Sequence, residues 1–312
     1  MLQLFQKKQV DTSLCAISED ERGVSMVCVD TVLSGDRPVV LNWSRVERQN
    51  DEEAVLGKVV RKMQLEDRRC SYLLPLNKYQ VVITSKPEVP ENELEMAICW
   101  QAKDLIDIPI EEAVVDLFTF PDAENIPGEI RHSVYVVAAQ RESVSQVAEE
   151  LFANGIELEA IDIVEMAQRN LASLLADQQE GVALLSINPG NCVITLSKEG
   201  DLYVTRKIEV NESSLKRVGL ADAELERISL EVQRSLDYYA TNLKQTQLKN
   251  LYVVPTPQLN QSIVDYLDEN LSVKVAVMDL NELIIWGAVP EKKMWGYLSF
   301  CLGAALRDWV GT

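Results

Sequence analysis

Short apolar or alternating stretches open the chain. SLCAIS and GVSMVCVD, joined by the polar turn Glu19 to Gly23, read as paired strands, and RPVVLNW follows as a third. EEAVLGKVVRKMQLED then places Val55, Val59, Lys62 and Met63 on one helical face, after which CSYLLPL and YQVVIT return to strand character. Beyond a loop marked by Pro87 and Pro90, ENELEMAICWQAKDLI repeats Leu94, Ile98, Ala102 and Leu105 at helical spacing behind a Glu-rich first turn. EAVVDLFTF and SVYVVAAQ predict two strands separated by a long polar connection. ESVSQVAEELFANG predicts a helix stopped at Asn154 and Gly155, with IELEAIDI as the strand after it. Residues 81–162 therefore read as one βαββαβ-like unit.

VEMAQRNLASLLA adds a helix, and the polar DQQEG at 177–181 is the expected boundary between halves. Past it the opening design recurs, with VALLSINP, CVITLSKEG and LYVTRKIEV as three consecutive strands. DAELERISLEVQRSLDYYATNL follows as the longest helix, its stripe formed by Leu225, Ile228, Val232, Leu236, Tyr239 and Leu243. NLYVVPT, PQLNQSIVDYLDENL and VKVAVM complete a strand, helix, strand succession. The closing MWGYLSFCLGAALRDWV has about thirteen mostly apolar residues between Lys293 and Arg307, too few for a membrane span. It predicts a helix packed between sheets, where Gly296 and Gly303 permit close backbone approach. A three-strand meander feeding a helix, found twice, predicts a duplicated α/β fold with a cleft between similar halves.

Composition narrows the partners. The 312 residues and 47% hydrophobic content allow two modest domains with real cores. Forty-nine acidic against thirty basic residues give a net charge of −19, which repels nucleic acid and anionic lipid. A partner carrying a basic segment is attracted instead, and the cytoplasmic flanks of membrane helices are rich in such segments. Cys15, Cys28, Cys70, Cys99, Cys192 and Cys301 are scattered without a CxxC pair and read as reduced core thiols. No leader or spanning run is evident, so a cytoplasmic protein is expected. MLQLFQKK at the start reads as a frayed terminus, with weak docking on a membrane face as the other reading.

Catalytic chemistry has little to build on. His132 is the only histidine and stands just before a predicted strand, an exposed position rather than a catalytic one. A zinc site needs more spaced Cys and His than the chain provides, and no metal is expected. The clusters Glu91, Glu93, Glu95 and Glu111, Glu112 fall at helix starts or loop edges. Trp43, Trp100, Trp286, Trp295 and Trp309 are widely spread; Trp100 either packs in the core or lines a groove for a peptide.

Three phrases carry a resemblance. ENELEMAICWQAKDLIDIPIEEAVVDLFTF, VYVVAAQRESVSQVAEELFANGIELEAIDI and RSLDYYATNL resemble, in order and spacing, segments of the PilM family of type IV pilus assembly proteins. The divergent N-terminal half and the missing nucleotide signatures look more like the MshI branch, from mannose-sensitive haemagglutinin (MSHA) pilus biogenesis. The resemblance implies an actin-like fold, with domain 1 at 1–80 and 163–180 and an inserted peptide-binding subdomain of the FtsA/PilM type at 81–162. Domain 2 would occupy 181–290, and a closing helix at 291–312 would return to domain 1. It further implies a non-enzymatic cytoplasmic scaffold that binds the N-terminal peptide of a PilN-like (MshJ-like) inner-membrane protein, between the insert and domain 1. Contact with an assembly ATPase and formation of a homo-oligomer are left open. By family geometry, the partner residues are Leu94, Ile98, Trp100, Leu105, Val114, Leu117 and Phe118. The alternatives are an ATP-binding actin-like switch and a GspL-like component of type II secretion.

Nucleotide-binding members of that fold carry an Asp-x-Gly turn in the first hairpin of each half, the Asp orienting Mg²⁺ and the glycines admitting phosphate to backbone N–H groups. Here SINPGN puts Ser186 where the Asp is expected, and Pro189 offers no N–H, leaving Asn188, Gly190 and Asn191 as a remnant. The first hairpin turn holds three adjacent acids, Glu19, Asp20 and Glu21; in another register Asp11 is the remnant acid. Pro255, Thr256 and Pro257 replace the glycines of the adenosine pocket. ATP with Mg²⁺ is therefore disfavoured, and no cofactor is expected.

Overall fold

The computed structural model describes residues 13–30, 36–48, 55–65, 68–121, 126–188, 190–211, 222–257, 259 and 261–310. Strands β1 (Leu14–Asp20), β2 (Gly23–Asp30) and β3 (Val39–Glu47) form an antiparallel meander; helix α1 (Val55–Met63) then returns the chain to β4 (Arg69–Leu73), parallel to β1. An excursion follows through β5 (Tyr79–Ser85), α2 (Glu91–Ala102), β6 (Ala113–Thr119), α3 (Gly128–Arg131), β7 (Ser133–Gln140) and α4 (Arg141–Ala153). Strand β8 (Glu157–Asp162) then leads into α5 (Val164–Ala172). The second half repeats the scheme with β9 (Val182–Asn188), β10 (Asn191–Lys198), β11 (Asp201–Glu209), α6 (Asp222–Thr241), β12 (Asn250–Val253), α7 (Gln261–Asn270) and β13 (Lys274–Val277). After α8 (Leu280–Leu283) come β14 (Ile285–Trp286), α9 (Lys292–Ala305) and α10 (Arg307–Val310).

Sheet order makes the duplication explicit. Among the described residues, one sheet runs β14-β3-β2-β1-β4-β8 and another β11-β10-β9-β12-β13. The last five strands of the first follow the same path as the five of the second. Each is a meander whose first strand takes a parallel neighbour through a helical crossover, and then a further one. The stripe on α6 from Leu225 to Tyr239 is buried throughout, as its helical spacing dictates, and Leu243 just past the helix end is buried with it.

The excursion builds a third sheet, β5-β7-β6, with α2 and α4 on opposite faces. Ile98 and Ala102 of α2 pack on Val134, Val136 and Val82, whereas Leu151, Val144 and Val147 of α4 meet Val81, Val137 and Ala139 from the other face. The strand IELEAIDI, read from sequence as part of the unit at 81–162, lies elsewhere. It pairs with β4 in the first sheet, because Leu158 and Ile161 complete the core cluster of Ile17, Val60 and Cys70. Its alternation is compatible with either sheet, and only the burial partner decides.

Helix α9 is wedged between the halves. Trp295, Leu298, Cys301 and Leu302 share one cluster with Val29 and Leu73 of the first sheet, Leu184 of the second, Val254 just after β12, and Ala167 and Leu171 of α5. A β-carbon on Gly303 would lie 2.3 Å from the carbonyl oxygen of Ala167, and one on Gly296 would lie 2.5 Å from the nitrogen of Pro257. These are the close approaches that Gly296 and Gly303 permit.

One expectation from sequence is corrected. Cys15 and Cys28 are joined in a disulfide rather than held as reduced thiols, because the β1–β2 register sets them directly opposite one another. Cys70, Cys99, Cys192 and Cys301 are free.

Candidate functional site

In the segment read from sequence as a phosphate-site remnant, the described side chains are packed against their own sheet. Asn188 pairs with Asn191 across the β9–β10 hairpin, and Gly190 has φ +77. The Gly190 carbonyl accepts from Val210 N–H at 2.9 Å. Ser186 is fully buried, its hydroxyl directed at the Val193 carbonyl at 3.5 Å with Asn188 Nδ2 donating to it at 3.3 Å. Asp11 and Pro189 lie outside the described residues. In the first half, Asp20 accepts from Arg22 N–H and from Arg45, and Glu19 pairs with Arg48. At the adenosine position, Thr256 donates to Ile187 O at 2.6 Å and the Thr256–Pro257 backbone rests on Gly296 of α9. Burial pushes the thiols of Cys70, Cys192 and Cys301 up to about 12, which keeps them as poor nucleophiles.

The residues expected to bind a partner do not form one surface. Ile98 is fully buried and, with Leu94 and Leu117, forms the small unit's own core beneath α2. This corrects the expectation for Ile98, for an apolar stripe at helical spacing is what a helix buries first, while Leu94 and Leu117 are half-buried against the same core. Phe118 lies on the opposite face of the same sheet, stacked on Tyr135 at 4.7 Å, and Val114 is half-buried. Trp100 and Leu105 are exposed, Trp100 by 66%, which excludes the core reading of that tryptophan. Lys103 Nζ sits 5.5 Å from its ring. His132 is exposed just before β7.

A different surface has the form of a binding site. Helix α4 ends in a Schellman motif: Ile156 N–H donates to Leu151 O and Gly155 N–H to Phe152 O, with Gly155 at φ +73. The motif turns Leu151 and Ile156 inward, where both are buried, and leaves Phe152 83% exposed. Together with Ala148, Glu149, Gly155, Glu157 and Leu158 these residues line an open groove of about 700 Å³. It lies where the helix of the three-stranded unit passes into β8, at the margin of the first sheet. Among the described residues β8 is the last strand on that side, so its outer edge of N–H and C=O groups is unpaired by any strand. Apolar walls, two carboxylates at the rim and a free strand edge suit an extended peptide with apolar and basic residues. Phe152 was the missed signal: an aromatic set off the apolar stripe, immediately before an Asn-Gly stop.

Two buried acids, Asp162 and Glu165, flank the start of α5. Tyr79 Oη donates to Glu165 at 2.6 Å and accepts from Val164 N–H, while Asp162 faces Arg307 at 3.4 Å. Desolvation raises the Glu165 carboxyl above its ordinary 4.5, against the opposing hydrogen bond from Tyr79. The folded state then holds this proton to higher pH than the unfolded chain does. The stabilising contribution is complete below 4.5 and is lost as pH rises through the raised folded value. Glu165→Gln should therefore gain on the parent protein as pH rises, which urea unfolding between about pH 4.5 and 8 will measure; a constant difference would contradict the assignment.

A family model described as type IV pilus assembly protein PilM matches residues 28–211, more than half of the chain. No curated protein matches the sequence. The solved structure of a PilM–PilN type IV pilus biogenesis complex superimposes with a TM-score of 0.72 at 17% identity, over 94% of this chain and 97% of that one. A Bacteroides thetaiotaomicron protein with an actin-like ATPase fold and unknown function gives 0.50 at 13% identity, over 92% and 96%. The cytoplasmic domain of EpsL, an inner-membrane component of the type II secretion system of Vibrio cholerae, gives 0.49 at 9%, over 92% and 94%, too loose to carry an argument. The fold is actin-like.

Proposed function

The chain belongs to the type IV pilus assembly protein PilM family, and on that premise we propose that it is a non-enzymatic scaffold of a pilus assembly platform. It receives the cytoplasmic N-terminal tail of a bitopic inner-membrane partner in the groove beside Phe152. The observation that carries this reading is the groove itself, with its largely apolar lining, the exposed Glu149 and Glu157, and the edge of β8 that no described strand pairs. One solved structure similar to this chain is a complex of PilM with PilN, which supports a PilN-like partner. A tail running toward juxtamembrane Lys or Arg would be drawn to a chain of net charge −19. No described helix is long and apolar enough to cross a membrane, and the scaffold would sit on the cytoplasmic face, held there by its partner. Placement within an MSHA-type system, as an MshI-like member, is part of the same proposal.

Support for a scaffold without nucleotide comes from the phosphate region. A fully buried Ser186 in the place of a metal-orienting carboxylate, and a Thr256 loop seated on α9 with its hydroxyl bonded to Ile187 O, support this reading. The test is a pair of calorimetric titrations of the purified chain, one with the partner's N-terminal peptide and one with Mg-ATP. Heat with the peptide and none with Mg-ATP is the expected result. Micromolar binding of Mg-ATP would replace the scaffold by a nucleotide-gated switch, and absence of peptide binding would remove the assigned partner.

A further inference from the structure

We infer that the outer face of α2 is a surface for a second copy of this chain, the two α2 helices pairing antiparallel about a two-fold axis at the level of Ile98. The inference goes beyond the proposed function and does not depend on it. Leu94, Ile98 and Ala102 turn inward from α2 and pack on the small sheet. On the opposite side of the helix, Glu93, Met96, Trp100 and Lys103 recur in steps of three, four and three residues. All four are exposed, Met96 by 62% and Trp100 by 66%. A helix on the surface of a lone protein ordinarily turns polar residues to water there. Two large apolar side chains at that spacing, bounded by one charge of each sign, have instead the form of a helix-pairing seam.

The seam is complementary to itself. With a second α2 laid antiparallel and centred on Ile98, Met96 meets Trp100 of the second copy and Glu93 meets its Lys103, and each contact occurs twice, as a two-fold axis requires. A thioether against an indole is a favourable contact, and Lys103 Nζ already lies 5.5 Å from the Trp100 ring, so a second copy meets cation and ring together. Beside the seam, Asn92 falls opposite Asp104 and Glu95 opposite Gln101, so that no like charges stand opposite one another among the described side chains of residues 92–104. A shift by one helical turn either way sets Met96 or Trp100 against its own copy and takes Lys103 away from Glu93. The charge pattern therefore selects both the occupant and the register, in a chain whose net charge of −19 otherwise repels its copies. A helix of 12 residues is about 18 Å long and covers much less than the roughly 800 Å² per partner of a standard interface, so the pairing is reversible, with a dissociation constant on the order of 10–100 μM. Helix α4 and Phe152 lie on the other face of the small sheet, so the dimer leaves the groove open.

The test is sedimentation velocity on the full chain over a range of about 5–200 μM, which brackets that constant. The parent should pass from monomer toward dimer across the range, and Trp100→Asp should remain monomeric throughout. Glu93→Lys alone and Lys103→Glu alone should each weaken dimerisation at least about fivefold, since each sets like charges against one another at both ends of the seam. An equimolar mixture of these two variants should dimerise about as tightly as the parent, because the two lysines of one then face the two glutamates of the other. That restoration is specific to an antiparallel pair and cannot come from a change in folding. The substituted positions are all exposed, and circular dichroism melts show that each variant folds. A parent that stays monomeric, a dimer that survives Trp100→Asp, or a mixture no tighter than its components would each overturn the inference.

Discussion

Replacing Gly303 by valine is expected to lower the thermal midpoint by on the order of 5–10 °C, or to leave the chain insoluble at growth temperature. Helix α9 crosses α5 with no room for a side chain: a β-carbon at 303 would meet the oxygen of Ala167 at 2.3 Å and its carbonyl carbon at 2.8 Å. Both obstacles are backbone, so neither can swing aside. Asn170 Nδ2 also donates to Gly303 O at 2.9 Å, and separating the helices loses that buried bond. Helix α9 cannot retreat, because β1, β2 and β4 pack against it. Overpacking of this kind costs about 1–3 kcal/mol and the bond about 1 more, a large share of a typical stability of about 5–15 kcal/mol.

The alanine variant gives the sharper outcome. Within a helix Gly→Ala ordinarily stabilises by about 0.5–1 kcal/mol, so at Gly303 the sign should reverse. Gly128, where an added β-carbon meets nothing within 4 Å, serves as the control and should tolerate alanine without loss. Circular dichroism melts of the three proteins decide the matter. A Gly303→Ala chain as stable as the parent would mean that α9 does not pack as described.

Much of this architecture was written in periodicity. Strands with tight polar turns made both meanders legible, and the 3.6-residue stripe of α6 named its buried residues in advance. Gly296 and Gly303 in an apolar helix announced close backbone contact before any coordinate did. What stayed hidden depends on pairing across distance. IELEAIDI reads as a strand, but nothing local states that its neighbour is β4 rather than β7. Cys15 and Cys28 are thirteen residues apart and share no motif, yet the turn pairing Asp20 with Gly23 fixes them face to face. That disulfide was readable by counting back from the turn.

The binding surface was hidden for another reason. Periodicity finds the residues a fold consumes, and Leu94, Ile98 and Leu117 were consumed by the small unit's core. A recognition residue is one the fold leaves over. Phe152 breaks the stripe of α4 and sits beside the buried Leu151, at the place where a glycine stop reverses the chain. Trp100 is left over in the same sense, but on the far side of the three-stranded sheet, with α2 rather than α4.

That contrast yields the second large effect. Phe152→Ala is expected to weaken binding of the partner's tail by about thirtyfold or more, the cost of truncating a central aromatic contact of about 2 kcal/mol. Folding should be untouched. Phe152 is 83% exposed, its backbone carbonyl keeps the bond from Gly155, and alanine is the better helix former. Trp100→Ala, on the opposite face of the small sheet, should leave tail affinity unchanged. Titration of the tail into the three proteins, with melts to confirm their folding, gives a two-way test. Loss at Trp100 with none at Phe152 would move the binding surface to α2 and detach the function from the β8 edge. Loss at Phe152 alone would fix the tail between α4 and β8, where apolar floor, acidic rim and free strand edge coincide.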